Sequence, residues 1–193
     1  ATKEVQAAID SLTEAGMKNL ILDLTGNGGG YLNQAQSLAD LFLDGEKLIV
    51  YTEGRAQPRQ DFNAEEKGDF EKGRLVIMID GSSASASEIV SGAVQDWDRG
   101  VLVGRRTYGK GLVQKGYGLP DNSAVRMTMA HYYIPSGRSI QRPYKSGSQK
   151  YAEDFIERYE SGELFDATKM VLLDSTPYYT NNKRVVYGGG GVM

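Results

Sequence analysis

Three serines alternate with alanines in Ser83-Ala84-Ser85-Ala86-Ser87, and a lysine stands between two glycines in Gly109-Lys110-Gly111. A serine hydroxyl is a poor nucleophile until a neighbouring base takes its proton. The chain holds no cysteine and a single histidine, His131, so thiolate chemistry and multi-histidine metal sites are excluded. His131 lies far along the chain in an alternating stretch, where a lone histidine reads as a packed side chain. Lysine is the remaining base, and it serves only where burial or nearby donors favour the neutral amine over its ordinary pKa of about 10.4. Lys110, flanked by glycines, can be threaded into a crowded cleft, and Gln114 can orient the amine through its amide oxygen. Plainer readings stand beside these. A lysine between glycines is a common surface feature, and Ser83 or Ser85 would serve as a helix N-cap with Ser87-Glu88 complementing the dipole in the first turn.

A second feature is the loop Thr25-Gly26-Asn27-Gly28-Gly29-Gly30, which follows the apolar run Leu20-Ile21-Leu22-Asp23-Leu24. Glycines leave backbone N–H groups unshielded and positive φ accessible. The loop is therefore either a tight strand-to-helix turn or a receptor for an oxyanion or phosphate. Gly104 to Gly111 approaches the P-loop pattern, but Gly111 stands where a magnesium-binding Ser or Thr is needed. Leu112-Val113-Gln114 then reads as strand instead of helix, so the phosphate cradle is rejected.

The elements that must carry these residues alternate. A helix is expected from Thr2 to Ala15, a strand of buried type over Leu20–Leu24, and a second helix through Leu32, Ala35, Leu38, Ala39 and Phe42. Leu48–Tyr51 follows as strand, and the polar stretch from Glu53 to Lys72, with Pro58, as a solvated surface loop. Arg74–Asp80 is the strand that enters the serine corner, and Ala86 to Trp97 the helix that leaves it. Val101–Val103 and Ser123–Tyr133 complete the strands, and Tyr151–Tyr159 has helical spacing. Gly188 to Gly191 reads as a linker or turn. Strands alternating with helices imply an α/β layered core.

With 193 residues and 40% hydrophobic content, a single core is expected. The formal net charge of −3 gives no basic footprint, which argues against a nucleic-acid partner. No apolar run approaches the length needed to span a bilayer. The chain opens Ala-Thr-Lys and closes on Val192-Met193 after its glycines, the look expected of a piece cut from a longer protein.

The segments LILDLTGNGGGYL, IDGSSASASEIVSGAVQDW, VGRRTYGKGLVQ and YYIPSGRSIQ occur in that order. Together they resemble the carboxyl-terminal processing, or tail-specific, serine proteases over roughly Thr2 to Gln141. The ending RVVYGGGGVM is similar to the tail of Bacteroidetes-type members. The resemblance implies a crotonase/ClpP-like α/β core of strand–helix units over residues 1–144, with a small irregular C-terminal extension over 145–193. It implies a Ser-Lys endopeptidase with Ser85 as nucleophile, Lys110 as base, Gln114 assisting, and an oxyanion hole from the N–H groups of Gly30 and Ala86. Ser85 at a helix N-terminus and an unshielded Gly30 suit those roles physically.

Protein or peptide substrates, no cofactor or metal, and a cell-envelope or periplasmic address come with the same resemblance, which leaves homo-oligomerisation open. Thr25 stands where the family usually has arginine. Members also carry a PDZ domain, expected in the parent protein and without a recognisable counterpart in these residues. The rival readings are a non-catalytic peptide- or ligand-binding fragment of the same fold and a crotonase-type acyl-CoA enzyme. The first is disfavoured by Ser, Lys and Gln occurring together, the second by the lack of any CoA feature.

Overall fold

The computed structural model describes residues 2–144 and 147–193. Apart from β3, its first half follows the order the sequence predicts: α1 (Thr2–Glu14), β1 (Asn19–Asp23), α2 (Leu32–Asp40), β2 (Leu48–Gly54), β3 (Gln57–Asn63), β4 (Arg74–Ile79) and α3 (Ala86–Asp96). Then come β5 (Val101–Gly104), β6 (Leu112–Gly118), β7 (Ala124–Tyr133), α4 (Gly147–Glu160), and the short strands β8 (Pro177–Tyr179) and β9 (Val185–Tyr187). β1, β4 and β5 form a parallel sheet in that order, β3-β2-β7-β6 an antiparallel one, and β8 and β9 a hairpin. The mixed α/β layering is the one expected.

Helix α3 is the hub. Every residue from Ser87 to Asp96 is buried, and its Ile89, Val90, Ala93 and Val94 join Leu75, Ile77 and Ile79 of β4 and Ile49 and Val50 of β2 in one core. A helix buried all round has layers on both sides. Gly92 makes this possible against Ile134, because a Cβ there would stand 2.8 Å from Ile134 Cδ1. At its C-terminal end the Trp97 indole N–H donates to the Leu48 carbonyl at 2.7 Å, tying the helix to β2.

Three expectations are corrected. The run Leu20–Leu24 is half-buried in place of fully buried: Leu20 and Leu22 turn inward while Ile21 is exposed, as are Val101 and Val103 of β5. The parallel sheet thus buries one face within the described residues, where such sheets usually bury both. The stretch 53–72 is not wholly a loop, because Gln57–Asn63 pairs with β2 as a hairpin through Tyr51↔Asp61 and Thr52↔Gln60. It is an edge strand exposed along most of its length, so no alternation marks it, and Pro58 falls where the register shifts.

The third correction concerns Gly188 to Gly191, which form a packed strap in place of a linker. Gly189 and Gly191 N–H groups donate to the Ser139 and Ile140 carbonyls, and on the other side the Thr107 N–H donates to the Val192 carbonyl while the Val192 N–H donates to the Thr107 hydroxyl oxygen. A Cβ on Gly190 would stand 2.7 Å from Arg106 Nη1, and one on Gly191, at φ 95°, 2.8 Å from the Thr107 carbonyl oxygen, so the passage is narrow and Gly191 in particular is held to glycine. Val192 ends up fully buried in the main core. Farther out, Glu163 bridges Arg106 and Arg158 at 2.7 and 3.0 Å, anchoring α4 to the loop after β5. That loop runs from strand β5 into strand β6, without the helix a phosphate cradle requires.

The junction of β4 and β5 offers a test. Gly104, at φ 136°, pairs with Ile79, and a Cβ there would stand 1.8 Å from the Ile79 carbonyl oxygen. Gly104→Ala should lower unfolding stability by about 1–3 kcal/mol, read as a shifted urea midpoint. Gly118→Ala, whose Cβ would meet nothing within 4 Å, should leave it within about 0.5 kcal/mol.

Candidate active site

The serine corner and the glycine loop meet because β1 and β4 are parallel neighbours in register, Asp23 beside Met78, so both strands release their chains at the same end of the sheet. Ligands of open α/β sheets collect at such carboxyl ends. Side chains then stitch the two releases together. The Ser83 hydroxyl donates to the Leu24 carbonyl at 2.7 Å, and the Ser87 hydroxyl lies 3.0 Å from both carbonyl oxygens of Asn27. Asp80 Oδ1 accepts from Gly26, Ser82 and Ser83 N–H, and the Ala84 N–H donates to the Asn27 carbonyl at 3.0 Å. The flanking serines are thus turn and cross-link residues.

Between them Ser85 stands at φ 57°, ψ −114°, as the residue preceding α3. An L-residue held there stores strain on the order of 1–3 kcal/mol, which persists only where the surroundings overdetermine it. A sharp, strained strand-to-helix turn is also how a serine is lifted clear of a sheet. The glycine loop presses on this turn from the other side. A Cβ on Gly29, at φ 88°, would stand 2.4 Å from the Ala84 carbonyl oxygen and 2.6 Å from Ala86 N. Gly29 therefore has to be glycine for the loop to lie along Ser85-Ala86, a requirement the sequence reading, fixed on Gly30, missed.

A cleft of about 490 Å³ opens over this contact. Ser85, Lys110, Gln114, Gly30 and Ala86 all line it, so the five sequence-predicted residues come from three separate segments to one space. Leu32, Ile89, Leu112 and Val113 supply apolar wall. Ala86 is the first residue of α3, where an N–H has no acceptor within the helix, and its neighbour across the loop, Gly30, is exposed. A bulge between Val113 and Gln114, where the partners step from Ala130 to Thr128, turns Gln114 toward the cleft beside them. His131 lies in β7 as read, but exposed and outside the cleft lining. Thr25, in place of the usual arginine, turns back on Asp23 through its N–H at 2.8 Å and its hydroxyl at 2.7 Å.

Two residues that the sequence reading did not assign to the site hold Ser85 and Lys110 by their backbones. The Glu88 carboxylate, fully buried, accepts the Ser85 N–H at 2.7 Å and the Lys110 N–H at 2.9 Å on Oε2. On Oε1 it accepts the Gly109 N–H and the Thr107 hydroxyl, each at 2.6 Å. The Tyr132 hydroxyl lies against the carbonyl oxygens of the same two residues, at 3.1 Å from that of Ser85 and closer still to that of Lys110. Burial pushes the Tyr132 phenol well above its usual pKa, which keeps the donating proton in place. The Gly109-Lys110-Gly111 turn is fastened further by Arg142 N–H on the Gly109 carbonyl and by Gln141 Oε1 on the Gly111 N–H. In the sequence Glu88 reads only as a favourable first-turn charge. Its spacing from Ser85, which is that of a capping box, was the available signal.

Burial raises the Glu88 pKa above its ordinary 4.5, with the Thr107, Lys110, Gly109 and Ser85 donors pulling the other way. At neutral pH Glu88→Gln replaces one accepting oxygen by an amide that can only donate. Two buried donors lose their acceptor, at about 1–3 kcal/mol each, and unfolding free energy should fall accordingly. The sign with pH follows from the raised value. The folded state holds the proton where the unfolded state has lost it, so Glu88's contribution is full below 4.5 and declines as pH rises through the raised pKa. Paired urea melts from acid to neutral pH should therefore show the gap between wild type and Glu88→Gln narrowing with pH, and a widening gap would show that the four donors outweigh burial.

The profile of peptidase family S41 matches residues 1–147. A carboxy-terminal-processing protease of Bartonella bacilliformis is 44% identical over 143 residues, covering 73% of this chain and 32% of that protein. The carboxy-terminal processing protease CtpA of Bacillus subtilis is 35% identical over 177 residues, covering 92% and 35% respectively. The solved structure of a photosystem II D1 C-terminal processing protease superposes with a TM-score of 0.67 at 34% identity, covering 72% of this chain and 36% of the other. The chain spans about a third of the length of these relatives. On the profile and these identities together, the chain belongs to peptidase family S41.

Proposed function

We propose that the protein is a serine endopeptidase in which Ser85 and Lys110 form the catalytic dyad, cleaving unstructured or C-terminally recognised polypeptides. The observation that carries the reading is the shared cleft: Ser85 on its strained turn, Lys110, Gln114, Gly30 and Ala86 line one space. Membership of a peptidase family supports the reaction class.

Ser85 Oγ attacks the carbonyl carbon of the scissile amide while Lys110 Nζ takes the hydroxyl proton. The oxyanion that forms is received by the N–H groups of Gly30 and Ala86, at the positive end of α3. Collapse breaks the C–N bond, Lys110 returns the proton to the departing amine, and an ester on Ser85 remains. Water then attacks the ester with its proton going to Lys110, and Ser85 leaves as the alcohol once that proton is handed back. Gln114 orients the lysine amine through its amide oxygen. The apolar wall of Leu32, Ile89, Leu112 and Val113 fits an extended segment with an apolar side chain beside the cut. An address in the cell envelope, outside the cytoplasm, is inferred from the family alone.

Ser85→Ala and Lys110→Ala should each abolish cleavage of a disordered polypeptide, with losses of about three powers of ten or more, and the double variant should be hardly worse than either single one. Full activity in both single variants would overturn the dyad. Gln114→Ala should reduce kcat and leave the fold intact, since Gln114 is exposed.

A further inference from the structure

The cleft contains a cationic side chain that the proposed chemistry leaves unused. Arg126 of β7 lines it together with Ser85 and Lys110, and none of the lining side chains is acidic. Along the β6–β7 ladder Gln114 faces Thr128 and Gly116 faces Arg126, so these four positions share one surface of the hairpin. Gly116 contributes no side chain to it, and a Cβ there would meet nothing within 4 Å, which leaves open space beside the guanidinium. Among the described residues the Arg126 guanidinium makes no hydrogen bond or ion pair. In a chain of net charge −3, a cleft lined by Arg126 and by no acidic side chain departs from the overall sign of the chain.

We infer that Arg126 forms a carboxylate-binding subsite, which selects polypeptides with an acidic group close to the scissile bond. Gly116 lies two strand positions from Gln114, about 7 Å at the rise of an extended chain, so on a substrate running along β6 the carboxylate falls about two residues from the residue beside Gln114. A guanidinium receives a carboxylate through two parallel N–H donors, which fixes direction as well as charge. The carboxylate can be an Asp or Glu side chain or the terminal carboxylate of a chain cut near its end. Position in the cleft rests on the peptidase reading, whereas binding of the carboxylate is measurable without turnover.

The test uses the protein carrying Ser85→Ala and a series of fluorescein-labelled, disordered peptides in which one Glu is moved along a neutral sequence. Each has a Gln counterpart, and each is made with a free and an amidated C-terminus. At low salt the best-placed Glu peptide or free-ended peptide should bind roughly 3- to 5-fold more tightly than its neutral partner, an advantage that shrinks as salt is added. Dependence on the Glu position identifies a side-chain carboxylate, and dependence on amidation identifies the terminal one. Adding Arg126→Gln should remove the preference, and Arg126→Glu should turn it toward a Lys-bearing peptide. Lys115→Gln, on the opposite face of β6, should keep it. Arg126 is exposed, so these changes leave the fold in place, which a thermal melt checks. Equal affinities within every pair, no binding of any peptide, or a preference that survives Arg126→Gln would overturn the inference. Carboxylate preference without any Ser85-dependent cleavage in the unmutated protein would instead overturn the peptidase reading and leave this subsite standing.

Discussion

The site depends on one buried carboxylate. Taking Glu88 out of water costs several kcal/mol, and its full set of donors offsets part of that. The four it has come from Ser85, Thr107, Gly109 and Lys110, which is to say from the Ser85 turn and the Lys110 turn at once. Neither turn can move away without stranding the charge. The Tyr132 hydroxyl completes the hold from the carbonyl side, so Ser85 and Lys110 are each gripped at N–H and at C=O by the same two residues. A positive φ at Ser85 is affordable in such a setting, because relaxing it would break bonds worth more than the strain.

The hold reaches beyond the cleft. Thr107, which donates to Glu88, accepts the Val192 N–H at 2.7 Å, and Val192 is fully buried behind it. The chain's last residues therefore back the same carboxylate as its middle. Arg106, next to Thr107, is locked by Glu163, and Arg158 of α4 donates to the Arg106 carbonyl at 2.7 Å. What the sequence suggests is an irregular extension over 145–193 acts in space as a buttress for the loop that leads to Lys110.

The legible part of the sequence was what local pattern carries. The helices and the parallel strands announce themselves by apolar spacing, and the residues that share the cleft stand in short motifs, Ser85 and Ala86 in one, Lys110 and Gln114 in another, Gly30 in a third. What escaped depends on partners distant in sequence. Tyr132 reads as one more residue of an alternating strand, and Thr107 as part of a failed phosphate motif, because their value lies in contacts with Glu88, Ser85 and Lys110 that no window of sequence contains. Gly190 and Gly191 look like a flexible tail for the same reason: glycine is equally the residue of looseness and of tight passage, and only the Arg106 and Thr107 side chains decide which. The β3 strand was lost differently. At a sheet edge with both faces wet, period two has nothing to report.

Because Ser85 and Lys110 are held through their main chains, their side chains carry almost none of the architecture. The part of each residue that would do chemistry is separable from the part that keeps the protein folded. A lineage built on this frame could lose its hydroxyl or its amine in a single substitution and keep the cleft, the apolar wall and Arg126 intact. On the proposed reading such a descendant would still bind extended polypeptides while leaving them whole, so loss of turnover and survival of binding would lie a single short step apart.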